Sequence, residues 1–271
     1  MPFILSYPNP HEVFFVGIGK KTRLSRIVKN NRLLLLAMDQ GLEHGPKDFN
    51  SVNINPDYVF DIATKGGFSG FAIQKGMAYH YLSSYAGKVP IILKLNGRTS
   101  LVPKDDVYSS PVATVKEAVA LGADAIGYTL YVGSPSEAKM FKEFGAIRAE
   151  CEEYGMPSIV WAYPRGRYVP DEKDPAVVAY AARCALELGA DVVKVNFTGS
   201  TDSFKSVVQA AQKCKVISAG GSKLSDDEFI AKAHEVMAAG ASGFAVGRNV
   251  WQSAHPLQIA ERLKKAVFGN E

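Results

Sequence analysis

Two kinds of segment alternate along the chain: short, almost wholly apolar runs, and amphipathic stretches of helical length. Four of the runs share one lead-in. Gly66-Gly67, Gly122-Ala123, Gly189-Ala190 and Gly240-Ala241 each close a helical pattern just before Phe68, Asp124, Asp191 and Ser242 open an apolar one. A glycine past a helix end supplies the left-handed C-cap, and a continuous apolar run suits a strand buried on both faces. Each lead-in is therefore the αβ half of a βα unit. Runs at residues 33–38, 90–95, 157–161 and 215–218 bring the number of predicted strands to eight. Helical patterns over 115–121, 136–153, 175–188, 202–213 and 226–239 lie between many of them. The Asn96-Gly97 pair is followed by a long polar stretch, so no hairpin is expected there. Strand and helix alternating without hairpins predicts a parallel sheet. Eight such units in 271 residues match the size of a (β/α)₈ TIM barrel. A doubly wound open sheet is the alternative. The whole chain, 1–271, reads as one α/β domain. Residues 1–31 form an extension in which 20–29 are expected to be a helix closing the barrel bottom. The loops at 40–55 and 97–112 are expected to be irregular.

Composition narrows the function classes. With 47% hydrophobic and 21% charged residues, the chain suits a soluble globular protein. Its net charge of +4 is spread without a basic block, which argues against nucleic acid or a membrane surface and suits a small anionic ligand. Cys151, Cys184 and Cys214 are scattered and form no CxxC, as expected of reduced thiols in a cytoplasmic protein. Residues 1–8 lack the basic and apolar regions of a signal peptide, and no run is long enough to span a bilayer. His11, His44, His80, His234 and His255 show no HxH or HExxH spacing, so no metal is expected. No GxGxxG or GxxxxGK[ST] occurs, and no nucleotide cofactor is expected.

In a (β/α)₈ barrel the C-terminal strand ends carry the active site. The first predicted strand is followed by Asp39-Gln40-Gly41-Leu42-Glu43-His44, with Asp39 on the same strand face as Leu35 and Ala37. The third ends at Lys94-Leu95-Asn96 and the fourth at Tyr128 and Tyr131. The fifth carries Trp161 and Tyr163, two residues apart and so on one side. Lys194 lies within Val192-Val193-Lys194-Val195 on the sixth. It shares parity with Val192 and Asn196, and the opposite pair of valines suits the helix layer better. An ammonium pointed into a barrel must be paired or lose its proton, and a neutral lysine is a Schiff-base nucleophile. The seventh and eighth strands end at Ser218-Ala219-Gly220-Gly221 and Gly247-Arg248. Glycine-containing turns at these two ends are where barrels commonly hold phosphate.

These segments together resemble the archaeal-type class I fructose-1,6-bisphosphate aldolase family. The matching stretches are Met38-Asp39-Gln40-Gly41-Leu42-Glu43-His44-Gly45-Pro46, Leu93-Lys94-Leu95-Asn96-Gly97, Trp161-Ala162-Tyr163-Pro164-Arg165-Gly166, Lys194, Ser218-Ala219-Gly220-Gly221, and Phe244-Ala245-Val246-Gly247-Arg248-Asn249-Val250-Trp251-Gln252. The resemblance implies a metal-independent, cofactor-free aldehyde-lyase of glycolysis and gluconeogenesis. It implies Lys194 as Schiff-base lysine, Tyr163 as general acid/base, Trp161 shaping the site and Asp39 near the amine. Gln40, His44, Asp48 and Arg165 fall at substrate-contact positions. Ser218, Ala219, Gly220, Gly221, Gly247 and Arg248 fall at the phosphate cradle. Gln40 stands where many relatives carry His, and Asn196 where some carry a second Lys. Related readings are a lysine-dependent or transaldolase-type aldolase for another phosphosugar, such as an aminodideoxy-heptulosonate synthase, and a non-catalytic barrel that binds a phosphometabolite. A homo-oligomer is expected, with the Trp251 region as a candidate contact.

Overall fold

The computed structural model describes residues 10–269, with side chains from residue 17 onward. The stretch tested for a signal peptide, and His11, fall outside the described residues and side chains. Eight parallel strands close into a barrel: β1 (Leu33–Ala37), β2 (Gly70–Gln74), β3 (Ile91–Lys94), β4 (Ala125–Val132), β5 (Ser158–Pro164), β6 (Val192–Val195), β7 (Lys215–Ala219) and β8 (Gly243–Val246). Each strand pairs with the next, and β8 pairs back onto β1 through Leu33↔Gly243 to Leu36↔Val246. Closure leaves no sheet edge, and the open-sheet alternative is thereby excluded. Gly243 makes the final contact possible. Its φ is +149°, and a Cβ there would sit 1.8 Å from the Leu33 carbonyl oxygen.

Period-two alternation divides the side chains into two cores. Leu33, Leu35, Ile92, Ile159, Val192 and Ile217 fill the barrel interior. Leu34, Phe71, Val193, Val195, Val216 and Phe244 face the helices. Lys194, one step above Val192, therefore points inward, as its parity required. The helices outside the strands include α3 (Pro56–Lys65), α4 (Lys75–Tyr81), α5 (Val115–Ala120), α6 (Glu137–Glu153), α7 (Pro175–Glu187), α8 (Thr201–Ala211), α9 (Asp226–Ala238), α10 (Arg248–Trp251) and α11 (Pro256–Phe268). For the five helices expected between strands, the ends lie within two residues of those expected.

The N-terminal helix α1 (Pro10–Ile27) is longer than expected and does lie across the bottom. Its side chains reach the starts of three strands: Lys20 pairs with Asp191, Arg23 donates to Gly155 O, and Arg26 pairs with Asp124. Ile27 is buried in the interior cluster.

Two expectations about loops need correction. Residues 40–55 hold α2 (Gln40–His44) and a 3₁₀ turn (Pro46–Asp48), and Asn96–Gly97 pairs antiparallel with Ser110–Pro111. Asn96 Nδ2 donates to Ser109 O, a contact across twelve intervening residues that local sequence does not encode. Trp251 is 1% exposed, stacks on Phe49 and donates to Ala37 O, so its ring is core and not a contact surface. Among the described residues no helix is long and apolar enough to cross a membrane.

Candidate active site

The barrel interior turns from apolar to charged at its C-terminal end. Above the Ile and Val layer stand Lys94, Trp161 and Lys194, with Asp39 at the end of β1 and Tyr163 one step further along β5. The register places Lys194 directly beside Trp161, and Trp161 beside Thr129. Lys94 is wholly buried and Lys194 is 6% exposed.

The two lysines are not equivalent. Lys94 Nζ donates to Thr129 Oγ1 at 2.7 Å and lies 3.8 Å from Asp39 Oδ2 and 3.7 Å from Glu43 Oε1. Two carboxylates thus compensate Lys94. Lys194 forms no ion pair that close. Burial holds its amine below the ordinary lysine value; Asp39 and Glu43 oppose this, and the Lys94 charge reinforces it. The Trp161 ring centre lies 5.2 Å from Lys94 Nζ and 5.0 Å from Lys194 Nζ. An indole face stabilises a nearby cation without neutralising it, so it can accept an iminium at Lys194. Burial, then the charges of Asp39 and Glu43, push the Tyr163 phenol well above its usual value. The resting tyrosine is a proton donor.

Room for this cluster depends on Gly127. A Cβ there would come 2.6 Å from the Trp161 ring and 3.1 Å from the Lys94 side chain. Gly127→Ala is expected to displace the indole and destabilise the fold by about 1–3 kcal/mol through overpacking. A thermal melt and tryptophan emission check this; an unchanged melting temperature and spectrum would contradict the packing.

A cavity of about 560 Å³ opens above these residues. Asp39, Trp161, Tyr163 and Lys194 line its floor, and Gln40, His44 and Arg165 line its walls. Two buried polar atoms of the lining, Gln40 Oε1 and Trp161 Nε1, have no hydrogen-bond partner. Such groups are uncommon in interiors and mark places where a polar ligand is received. Gly220, Gly221 (φ +78°), Ala219, Gly247 and Arg248 line the side formed by β7 and β8. Asn249 braces this side, accepting from Leu224 N and donating to Ser222 O.

Two expected contact residues do not reach the cavity. Asp48 stands behind its wall, 2.6 Å from His44 Nδ1 and 3.4 Å from Arg248 Nη1, and positions both. Ser218 is wholly buried and donates to Ala219 O. It alternates with the inward Ile217, so it faces the helix layer. Arg165 reaches the cavity but is held in a two-pronged ion pair with Glu172, at 2.8 Å for each bond.

Sequence reasoning passed over Glu43, Lys94, Glu172 and Lys232, all at or beside the cluster. Lys94 was detectable, because its parity with Ile92 places it inside by the argument used for Lys194. Lys232 gave no signal, being one lysine in an ordinary amphipathic helix.

Residues 33–253 match the family model described as DeoC/LacD family aldolase. The chain is 44% identical over 246 residues to the class 1 fructose-bisphosphate aldolase of Thermoproteus tenax, covering 90% of this chain and 92% of that protein. The chain belongs to the class I fructose-bisphosphate aldolases of the DeoC/LacD family. A Methanocaldococcus jannaschii relative, a fructose-bisphosphate aldolase/6-deoxy-5-ketofructose 1-phosphate synthase, is 37% identical over 92% of this chain and 84% of its own. The structure of an archaeal fructose-1,6-bisphosphate aldolase with its catalytic lysine covalently bound to the carbinolamine intermediate superimposes with a TM-score of 0.87. It is 42% identical and covers 92% of this chain and 100% of its own. For a class I aldolase the requirement is one amine kept nucleophilic inside a polar site; of the two inward-facing lysines, Lys94 and Lys194, only Lys94 has carboxylates within 4 Å.

Proposed function

We propose that Lys194 is the Schiff-base nucleophile and Tyr163 the proton carrier in reversible cleavage of fructose 1,6-bisphosphate to dihydroxyacetone phosphate and glyceraldehyde 3-phosphate. The observation that carries this assignment is the pairing of the two interior lysines: Asp39 and Glu43 compensate Lys94, while Lys194 is left buried, depressed in basicity and open to the cavity.

Neutral Lys194 adds to the C2 carbonyl of the open-chain ketose phosphate. The carbinolamine hydroxyl leaves as water with a proton from Tyr163, giving an iminium and a phenolate. The iminium charge offsets the burial and carboxylate field that keep this phenol protonated at rest. The phenolate takes the C4 hydroxyl proton as the C3–C4 bond breaks, and that electron pair flows into the iminium to give an enamine. Glyceraldehyde 3-phosphate departs. Tyr163 returns its proton to C3, and water hydrolyses the imine to release dihydroxyacetone phosphate. An iminium is an effective electron sink because it is already cationic where the carbanion would form. The Gly220-Gly221 and Gly247 backbone, with Arg248 and His44, is suited to hold phosphate.

Sodium borohydride added with dihydroxyacetone phosphate is expected to fix one adduct on Lys194, seen by peptide mass mapping, and cleavage is expected to survive EDTA. Adduct on another residue would sink the assignment. Activity lost to EDTA and restored by zinc would point to metal-dependent chemistry. Among the described residues no three His, Cys, Asp or Glu side chains group to hold a metal. The three free thiols, Cys151, Cys184 and Cys214, support a cytoplasmic enzyme.

A further inference from the structure

Lys232 rises from the middle of α9 into the cavity between the ends of β6 and β7. Its Nζ donates to Gly220 O at 3.0 Å and Ala219 O at 3.4 Å, and a Cβ on Gly221 would lie 3.3 Å from it. The ammonium is therefore pressed against the underside of the Gly220-Gly221 turn. The Phe197 ring centre lies 5.6 Å away on the other side. No carboxylate among the described residues pairs with it. Of the charged side chains on the same lining, Arg248 is engaged by Asp48, and Arg165 and Glu172 hold each other. Lys223, on the loop leading to α9, is paired with Asp226. Asp39 and Glu43 face Lys94, His44 pairs with Asp48, Lys194 stands at the floor, and Lys173 carries the same sign as Lys232 and acts on it.

A half-buried cation with two carbonyl acceptors, no counter-ion and a like charge nearby is poorly satisfied in the free protein. Among the described residues its third N–H has no acceptor. A phosphate on the Gly220-Gly221 turn would supply both the charge and the acceptor. We propose that Lys232 is an anion-binding residue of this site, receiving a phosphate group of the sugar seated against the Gly220-Gly221 turn. This rests on the phosphosugar reading of the cavity.

Burial, reinforced by Lys173, lowers the Lys232 amine to about 8. At neutral pH it is mostly charged, and from pH 7 to pH 9 its charged fraction falls about tenfold. A phosphate monoester stays dianionic over that range. Phosphate affinity is therefore expected to weaken about tenfold between these two pH values.

The test uses the Lys194→Met protein, which cannot form an imine, titrated calorimetrically with dihydroxyacetone phosphate at pH 7 and pH 9 in buffers of different ionisation enthalpy. Affinity should fall about tenfold at pH 9, with net proton uptake near pH 8. Adding Lys232→Met should weaken binding at pH 7 by about 10- to 100-fold, the usual range for losing a charged hydrogen bond, and remove both the uptake and the pH dependence. Lys232→Arg should bind without pH dependence. In the otherwise native enzyme the Lys232→Met effect should fall on KM more than on kcat. Unchanged affinity and proton uptake in Lys232→Met, with borohydride trapping on Lys194 intact, would overturn the proposal and leave the site reading standing. Absence of trapping in the native enzyme would instead overturn the site reading.

Discussion

Lys194→Met protein is expected to lose cleavage activity by on the order of 10⁴-fold or more, because no other group can form the covalent intermediate. Borohydride with dihydroxyacetone phosphate should leave its mass unchanged. The same substitution is expected to raise the melting temperature at pH 7. In the unfolded chain this lysine titrates at its ordinary value, and in the fold it titrates lower because burial disfavours its charge. Between those two values the unfolded chain holds a proton that the fold does not. Stability therefore falls as pH drops through that window and stays reduced below it. Methionine keeps the volume and removes the cost, so the gain should be present at neutral pH and vanish above the ordinary lysine value. Native-like turnover in this variant would remove Lys194 from the mechanism. A lower melting temperature at pH 7 would mean that the lysine is better compensated than its surroundings indicate.

Tyr163→Phe is expected to reduce kcat by about 10²–10⁴-fold, the usual worth of a positioned acid/base, with a much smaller change in KM. The ring keeps its packing beside Arg165, whose guanidinium lies 5.9 Å from the ring centre, so the fold should be little affected. Because the phenol is held protonated, dehydration of the carbinolamine should slow along with C–C cleavage. Single-turnover experiments with dihydroxyacetone phosphate alone would read imine formation directly. If KM rose as much as kcat fell, Tyr163 would be a contact residue and another group would carry the proton.

The barrel was legible because four of its units repeat one local code, a glycine ending a helix before an apolar run. Four further apolar runs complete a set of eight, which leaves few arrangements. The inward direction of Lys194 followed from counting residues by twos. The strand-end motifs also put Trp161, Tyr163 and the Gly220-Gly221 turn at one end of the barrel. Ser218 was misplaced only because that counting was not applied to it, and Lys94 was passed over for the same reason. Asp48 is a different case. It sits in a motif beside substrate-facing residues, yet the turn at Pro46–Asp48 sends its carboxylate back to His44 and Arg248.

What the sequence determined by itself is the alternation of strand and helix, the side of each strand that faces inward, and the collection of ionisable groups at one end. These are consequences of backbone periodicity and of burying apolar area, both local properties. What only the tertiary structure decided is the pairing of charges within that end. Lys94 and Lys194 stand on strands about a hundred residues apart and read alike in sequence. Closure of the barrel gives Asp39 and Glu43 to Lys94, leaves Lys194 short of compensation, and carries Lys232 from the helix layer to the Gly220-Gly221 turn. Coulomb energies and desolvation depend on distances of a few ångströms between remote residues, and those distances exist only once the barrel has closed.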